Sequence, residues 1–175
     1  MQKSLIIAAT VSFMAAAPLF TVPAFAAGGG GSTEPCPQGE VRNEDTGKCE
    51  KAKRGSHSDD VIFANGQALA KAGRYGEAIA ILSLAADKSD PRILNYLGYS
   101  HRMSGRVLVG LGYYQEALRA NPDYVLVREY MGEAHLMLGD VASAKVQLNE
   151  IEKRAGKASP EYAELSSKID AYLKS

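Results

Sequence analysis

The sequence predicts an all-α fold: a short solenoid of about three helix-turn-helix repeats followed by a C-terminal capping helix. Three observations predict it. Gly73, Gly105 and Gly139 are separated by 32 and 34 residues, and so are Gly66, Gly98 and Gly132. Ala85, Ala117 and Ile151 keep the same two separations, so independent markers share one period. Such a period marks stacked units, each unable to bury its apolar face alone. The clearest unit runs from Arg92 to Pro122. Leu94, Leu97, Gly98 and His101 share one helical face, Gly105 ends that helix, and a second helix carries Tyr114, Ala117 and Leu118 before Asn121-Pro122 closes it.

Residues 1–26, MQKSLIIAATVSFMAAAPLFTVPAFA, read as a secretory signal peptide. Lys3 is a minimal positive start, Leu5 to Phe20 is apolar apart from Thr10 and Ser12, and Ala24 and Ala26 supply the small residues of a cleavage site before Ala27. Pro18 and Pro23 break the run below the roughly 20 residues a membrane span needs. Stable membrane insertion after cleavage is therefore not expected. No cysteine follows the cleavage point directly, which excludes a lipoprotein.

Residues 27–58 read as a flexible tether with a disulfide-stapled segment. Gly28 to Pro35, GGGGSTEP, has too little apolar surface to fold. Cys36 and Cys49 are the two cysteines of the chain. In an oxidising compartment they are expected to pair, and the turn formers from Asn43 to Gly47 would reverse the chain between them. A C-x-x-C redox pair does not fit this spacing, and a zinc site would need two more ligands near His57. The segment resembles, loosely, a cysteine-stapled element of exported bacterial proteins with helical repeats. Lys51 to Ser58 is a polar linker. The neighbours His57, Ser58 and Asp59 cannot converge as a hydrolase triad, and Ser58 or Asp59 is expected to cap the first helix.

Residues 59–158 divide into repeats at 59–90, 91–124 and 125–158. The first buries Ile62, Gly66 and Leu69 against Ala78, Leu82 and Ala85. The third buries Met131, Gly132 and His135 against Ala144, Leu148 and Ile151. Gly110 and Gly112 each cost about 1 kcal/mol in a helix interior, so the second helix of repeat two is expected to be the softest unless packing requires them. Residues 159–175 form an amphipathic cap: Ser159-Pro160-Glu161 starts it, and Tyr162, Leu165, Ile169 and Tyr172 fall on one stripe.

Leu97-Gly98, Tyr114, Ala117 and Pro122 resemble the tetratricopeptide repeat pattern, over about 100 of the 175 residues. Tryptophan is absent from the repeats, and Gly110 stands where the pattern has alanine. The resemblance implies a concave groove lined by the first helix of each repeat. Its positions here are Phe63, Gln67 and Lys71 in repeat one. Repeat two supplies Arg92, Asn95, Tyr99, Arg102 and Met103, and repeat three Leu126, Glu129, Glu133, Leu136 and Met137. All are read as outward positions off the buried stripe. Phe63 and Gln67 replace the lysine and asparagine of the family's carboxylate clamp, so that activity is not carried over. His101 and His135 share one repeat position that normally holds a core aromatic; packing, not a metal pair, is expected.

The chain is 46% hydrophobic and 23% charged, with 20 basic and 20 acidic residues, a balance without the footprint of a nucleic-acid binder. Lys51, Lys53 and Arg54 form its short basic cluster. No nucleophile–base pair, phosphate loop or metal cluster is legible, so the reading is non-enzymatic and without cofactor. The expected role is an exported adaptor, periplasmic or secreted, that binds a protein or peptide partner through the groove. The alternative is a structural component of a cell-envelope or secretion assembly, anchored by the N-terminal segment.

Overall fold

A computed structural model of the chain describes residues 34–175; the leader and the first part of the tether lie outside the described residues. Among the described residues, two strands, β1 (Glu40–Arg42) and β2 (Cys49–Lys51), precede seven helices. The helices are α1 (Asp59–Lys71), α2 (Tyr75–Leu82), α3 (Pro91–Met103), α4 (Val107–Ala120), α5 (Val125–Met137), α6 (Val141–Ala155) and α7 (Pro160–Lys174). The pairs α1–α2, α3–α4 and α5–α6 are antiparallel hairpins stacked in chain order, and α7 packs on α5 and α6. Among the described residues no helix is long and apolar enough to cross a membrane.

Each hairpin turns in the same way. Gly73, Gly105 and Gly139 take φ of +75°, +81° and +77°. The amide that follows each glycine donates back to a carbonyl five residues earlier: Arg74 to Leu69, Arg106 to His101 and Asp140 to His135. A side chain at the glycine would strain this helix-ending motif. The helix starts are more varied. Ser58, Asp90, Asp140 and Ser159 accept from backbone amides at the starts of α1, α3, α6 and α7. Pro91 and Pro160 follow two of these caps, where no amide bond is lost. The Asp59 carboxylate instead takes the Ala86 and Asp87 amides, tying the start of α1 to the chain beyond α2.

The helices meet closely where the repeat glycines lie. A Cβ on Gly98 would stand 2.6 Å from the Tyr114 ring, and one on Gly110 would stand 2.7 Å from the Gly98 carbonyl oxygen. Gly110 is therefore the contact that lets α3 and α4 touch backbone to backbone, and the expected flaw at this position is not one. Gly112 has open space around it. In repeat three the partner changes: the glycine at 132 receives Leu165 of α7, at 2.5 Å from its notional Cβ.

The stapled segment is a hairpin packed into the first core cluster. Cys36 and Cys49 are bonded, with Cα atoms 5.7 Å apart. Asn43 accepts from the Asp45 and Thr46 amides in the turn. Val41 has no exposed surface and joins Val61, Ile62 and the α2 side chains. Asn65 of α1 accepts from the Arg42 amide at 2.6 Å and donates to the Arg42 carbonyl at 3.2 Å, pairing with the strand backbone. Periodicity could not reveal these strands, because each has only three residues.

Candidate functional site

The expected groove residues lie on the first helices of the hairpins, and the structure sorts them by exposure. Phe63, Gln67, Arg92, Tyr99 and Leu126 are half-buried; Lys71, Met103 and Met137 are exposed. Asn95, Arg102, Glu129, Glu133 and Leu136 are buried, contrary to an outward placement. Two physical causes account for the difference. The tyrosines of neighbouring helices fold over this face, and α7 lies along α5 and covers its acidic residues.

A row of rings crosses the helices. Phe63 of α1 meets Tyr96 at 5.8 Å between centroids, Tyr96 meets Tyr99 at 6.0 Å, and Tyr99 meets Tyr130 of α5 at 5.2 Å. Such tilted and edge-on pairs contribute beyond their buried area. Arg92 lies over Phe63 at 4.9 Å and is also held by Asp90 and Asp60, which hold it firmly charged. The Arg102 guanidinium lies 5.4 Å from the Tyr99 centroid and 5.6 Å from that of Tyr130. Half of this row was missed in the sequence, since Tyr96 and Tyr130 sit one residue off the groove positions; their 34-residue separation was the available signal.

Under the row lies a buried ionic network. Arg102 pairs with Glu133 at 2.7 Å, and Lys168 of α7 bridges Glu133 and Glu164. Arg102 is thus neutralised inside the protein, where removing one partner costs more than the pair itself is worth. Glu129 lies one turn from Glu133. Its carboxyl is pushed up to about 7, first by burial and then by the Glu133 charge. Asn95, one repeat earlier, is fully buried, and neither its amide nitrogen nor its oxygen has a hydrogen-bond partner of good geometry.

A cavity of about 560 Å³ opens beside this network, lined by Arg102, Leu136, Met137, Lys168, Ala171 and Tyr172 among others. Its walls are largely apolar and its charged floor is already paired. Helix α7 caps the stack and also supplies one wall of the cavity. Tyr172, placed on the buried stripe in the sequence, is 42% exposed here, with its hydroxyl beside Gly139 at the turn after α5. His101 and His135 do not converge on one ion: His101 stacks on Tyr113 at 5.3 Å, and His135 faces Asp140. Burial and the nearby Arg106 lower the His101 pKa.

This arrangement can hold a chain segment, with rings and methionines for side chains and a half-buried arginine at one end. It contains the rigid aromatic and adaptable thioether surfaces that suit peptide recognition.

Comparison with known structures gives the same architecture. The Yersinia enterocolitica type III secretion translocator chaperone SycD is 20% identical with a TM-score of 0.57, covering 66% of this chain and 89% of its own. The first tetratricopeptide domain of human RPAP3 is 21% identical with a TM-score of 0.61, covering 69% and 95%. PcrH, known also from Pseudomonas aeruginosa, in complex with the chaperone binding region of PopB, is 25% identical with a TM-score of 0.56, covering 69% and 100%. No curated protein sequence matches the chain. Two family models, each described as tetratricopeptide repeat, match residues 63–124 and 104–169 and together span most of the folded chain. With the repeated glycine turns and the stacked hairpins, these matches place the chain in the tetratricopeptide repeat family.

Proposed function

We propose that the protein is an exported adaptor that binds a peptide segment of a partner protein along the first-helix face. The observation that carries the reading is the ring row from Phe63 to Tyr130, in which Phe63, Tyr99 and Tyr130 are half-buried around the buried Tyr96, and which leads toward the cavity between α3, α5 and α7. Rings that are already packed lose little freedom when a ligand covers them, so they make efficient contact surfaces. Structural relatives support this direction. One SycD structure holds a peptide of the translocator YopD, and a tetratricopeptide domain of Spaghetti (RPAP3) holds the HSP90 peptide SRMEEVD. The leader supports export, with the periplasm as the destination and secretion as the alternative.

The competing role, a structural part of an envelope assembly anchored through residues 27–58, has less support. The inner face of the stapled hairpin is spent on α1, through Val41 and Asn65.

The test uses Phe63 and Tyr99 and leaves Arg102 intact, because Arg102 is structural. Cells expressing wild type or Phe63→Ala/Tyr99→Ala are crosslinked, and captured proteins are compared by mass spectrometry. A partner held by wild type should fall at least tenfold in the double variant, while the circular dichroism spectrum stays unchanged. Equal recovery from a folded variant excludes the groove as the contact surface.

A further inference from the structure

The repeat register shows what the N-terminal hairpin is for. Val61 and Asn65 of α1 align, at the 32-residue spacing, with Ile93 and Leu97 of α3; these align in turn, at 34, with Val127 and Met131 of α5. On α3 and α5 this face packs against the second helix of the preceding hairpin: Ile93 and Leu97 cluster with the α2 side chains, and Val127 and Met131 with those of α4. On α1 the same face receives the β1–β2 hairpin, with Val41 against Val61. The residue types follow the occupant. Two repeats carry Leu and Met at the second position, to meet a helix. Repeat one carries Asn65, whose amide bonds both the N–H and the C=O of Arg42. The hairpin therefore fills the place of a missing helix.

That substitute has little else to hold it. It buries one large apolar side chain completely, Val41, and its strands have three residues each. An isolated two-stranded hairpin is marginal in water. The bond between Cys36 and Cys49 closes its loop, and the two sulfurs are not equally sheltered: Cys36 is 3% exposed, whereas Cys49 is half-buried.

We propose that Cys36–Cys49 is a thiol–disulfide exchange site whose reduction by a dithiol releases the β1–β2 hairpin and loosens α1. The thiolate of the dithiol attacks Sγ of Cys49. The bond to Cys36 breaks, and Cys36 leaves as a thiolate and takes a proton. The second sulfur of the dithiol then displaces Cys49, which takes a proton in turn. The dithiol departs as a disulfide, having given two electrons. Freed of its staple, the hairpin loses Val41 from the core, and α1 loses the cover of Val61 and the partner of Asn65. Because α1 carries Phe63 and Gln67, the same step weakens the first third of the groove. That consequence rests on the groove reading; the release of α1 does not.

Hydrogen exchange on the full chain reads α1 directly. The oxidised protein is compared with protein held in dithiothreitol, residue by residue. Amides of α1 should lose protection on reduction, by up to about a hundredfold for a loop of this size, while α5 and α6 change little. Reoxidation should restore them. In oxidised protein, Val41→Ala should reproduce part of the loss at α1 with the disulfide intact. Asn65→Ala serves the same purpose if the valine variant does not fold. Two results would overturn the proposal: a disulfide that survives dithiothreitol in the folded protein, or α1 amides that keep full protection when both cysteines are thiols. Neither result bears on whether Phe63 and Tyr99 bind a partner.

Discussion

At the scale of single residues, the acidic groups beneath the ring row make stability depend on pH. Glu129 is 7% exposed and titrates at about 7, above the ordinary glutamate range near 4.3. It faces Glu133 on its own helix and Glu161, Glu164 and Lys168 on α7. The folded state thus holds a proton that the unfolded chain releases earlier. As pH rises from about 4.5 to about 7, the unfolded state binds fewer protons than the native one, and stability falls. Above pH 7 the loss levels off, on the order of 1–3 kcal/mol after allowance for its coupling to Glu133 and Lys168. Glu129→Gln removes this titration. Its melting temperature should exceed that of wild type at pH 8, and the gap should close toward pH 4.5, as followed by circular dichroism. A constant gap across that range would mean that Glu129 is not protonated in the fold. The burial of Asn95, Arg102, Glu129 and Glu133 was not legible in the sequence. Repeat position predicts which helix face a residue takes, but not that a tyrosine or an added helix lies over it.

At the scale of elements, α4 shows two glycines of opposite value. Gly112 has open space around its notional Cβ, whereas Gly110 faces the Gly98 carbonyl oxygen at 2.7 Å. Gly112→Ala should stabilise the protein by about 0.5–1 kcal/mol, the helix-propensity difference between the two residues. Gly110→Ala should destabilise by about 1–3 kcal/mol, because α3 and α4 must separate to admit a methyl group against backbone. Urea unfolding of both variants checks this, and equal effects would contradict the close approach of the two helices. From the sequence the two glycines look alike, two residues apart in one helix. Only their faces distinguish them: position 110 looks toward Gly98 and position 112 toward solvent. The helices themselves were legible, since the glycine turns, the caps at Asp90 and Ser159 and the 32- and 34-residue spacings all act locally. The β1–β2 hairpin was hidden because its partner, Asn65, is 23 residues from Arg42 and is a polar residue on a helix.

At the scale of the whole molecule, the solenoid is a row of interfaces with a different closure at each end. The N-terminal end is closed by a stapled hairpin with one fully buried valine. The C-terminal end is closed by α7, which inserts Leu165 against Gly132 and buries Ile169 beside Leu136 and Ile151. In a stacked array each unit is stabilised by its neighbours, so damage at one end should fade with distance along the stack. Leu165 is fully buried, and truncating such a leucine costs about 2–5 kcal/mol, a large part of the stability of a small domain. Leu165→Ala should therefore expose α7 and the α5–α6 hairpin to hydrogen exchange first. Protection should fall less in α3–α4 and least in α1–α2, which the stapled hairpin holds from the other side. The same change should disturb the cavity wall, because Lys168 and Tyr172 move with α7, so any partner seated there should be lost before the N-terminal half opens. A uniform fall in protection from α1 to α7 would instead mean that the three hairpins open as one unit, and that neither end controls the groove separately.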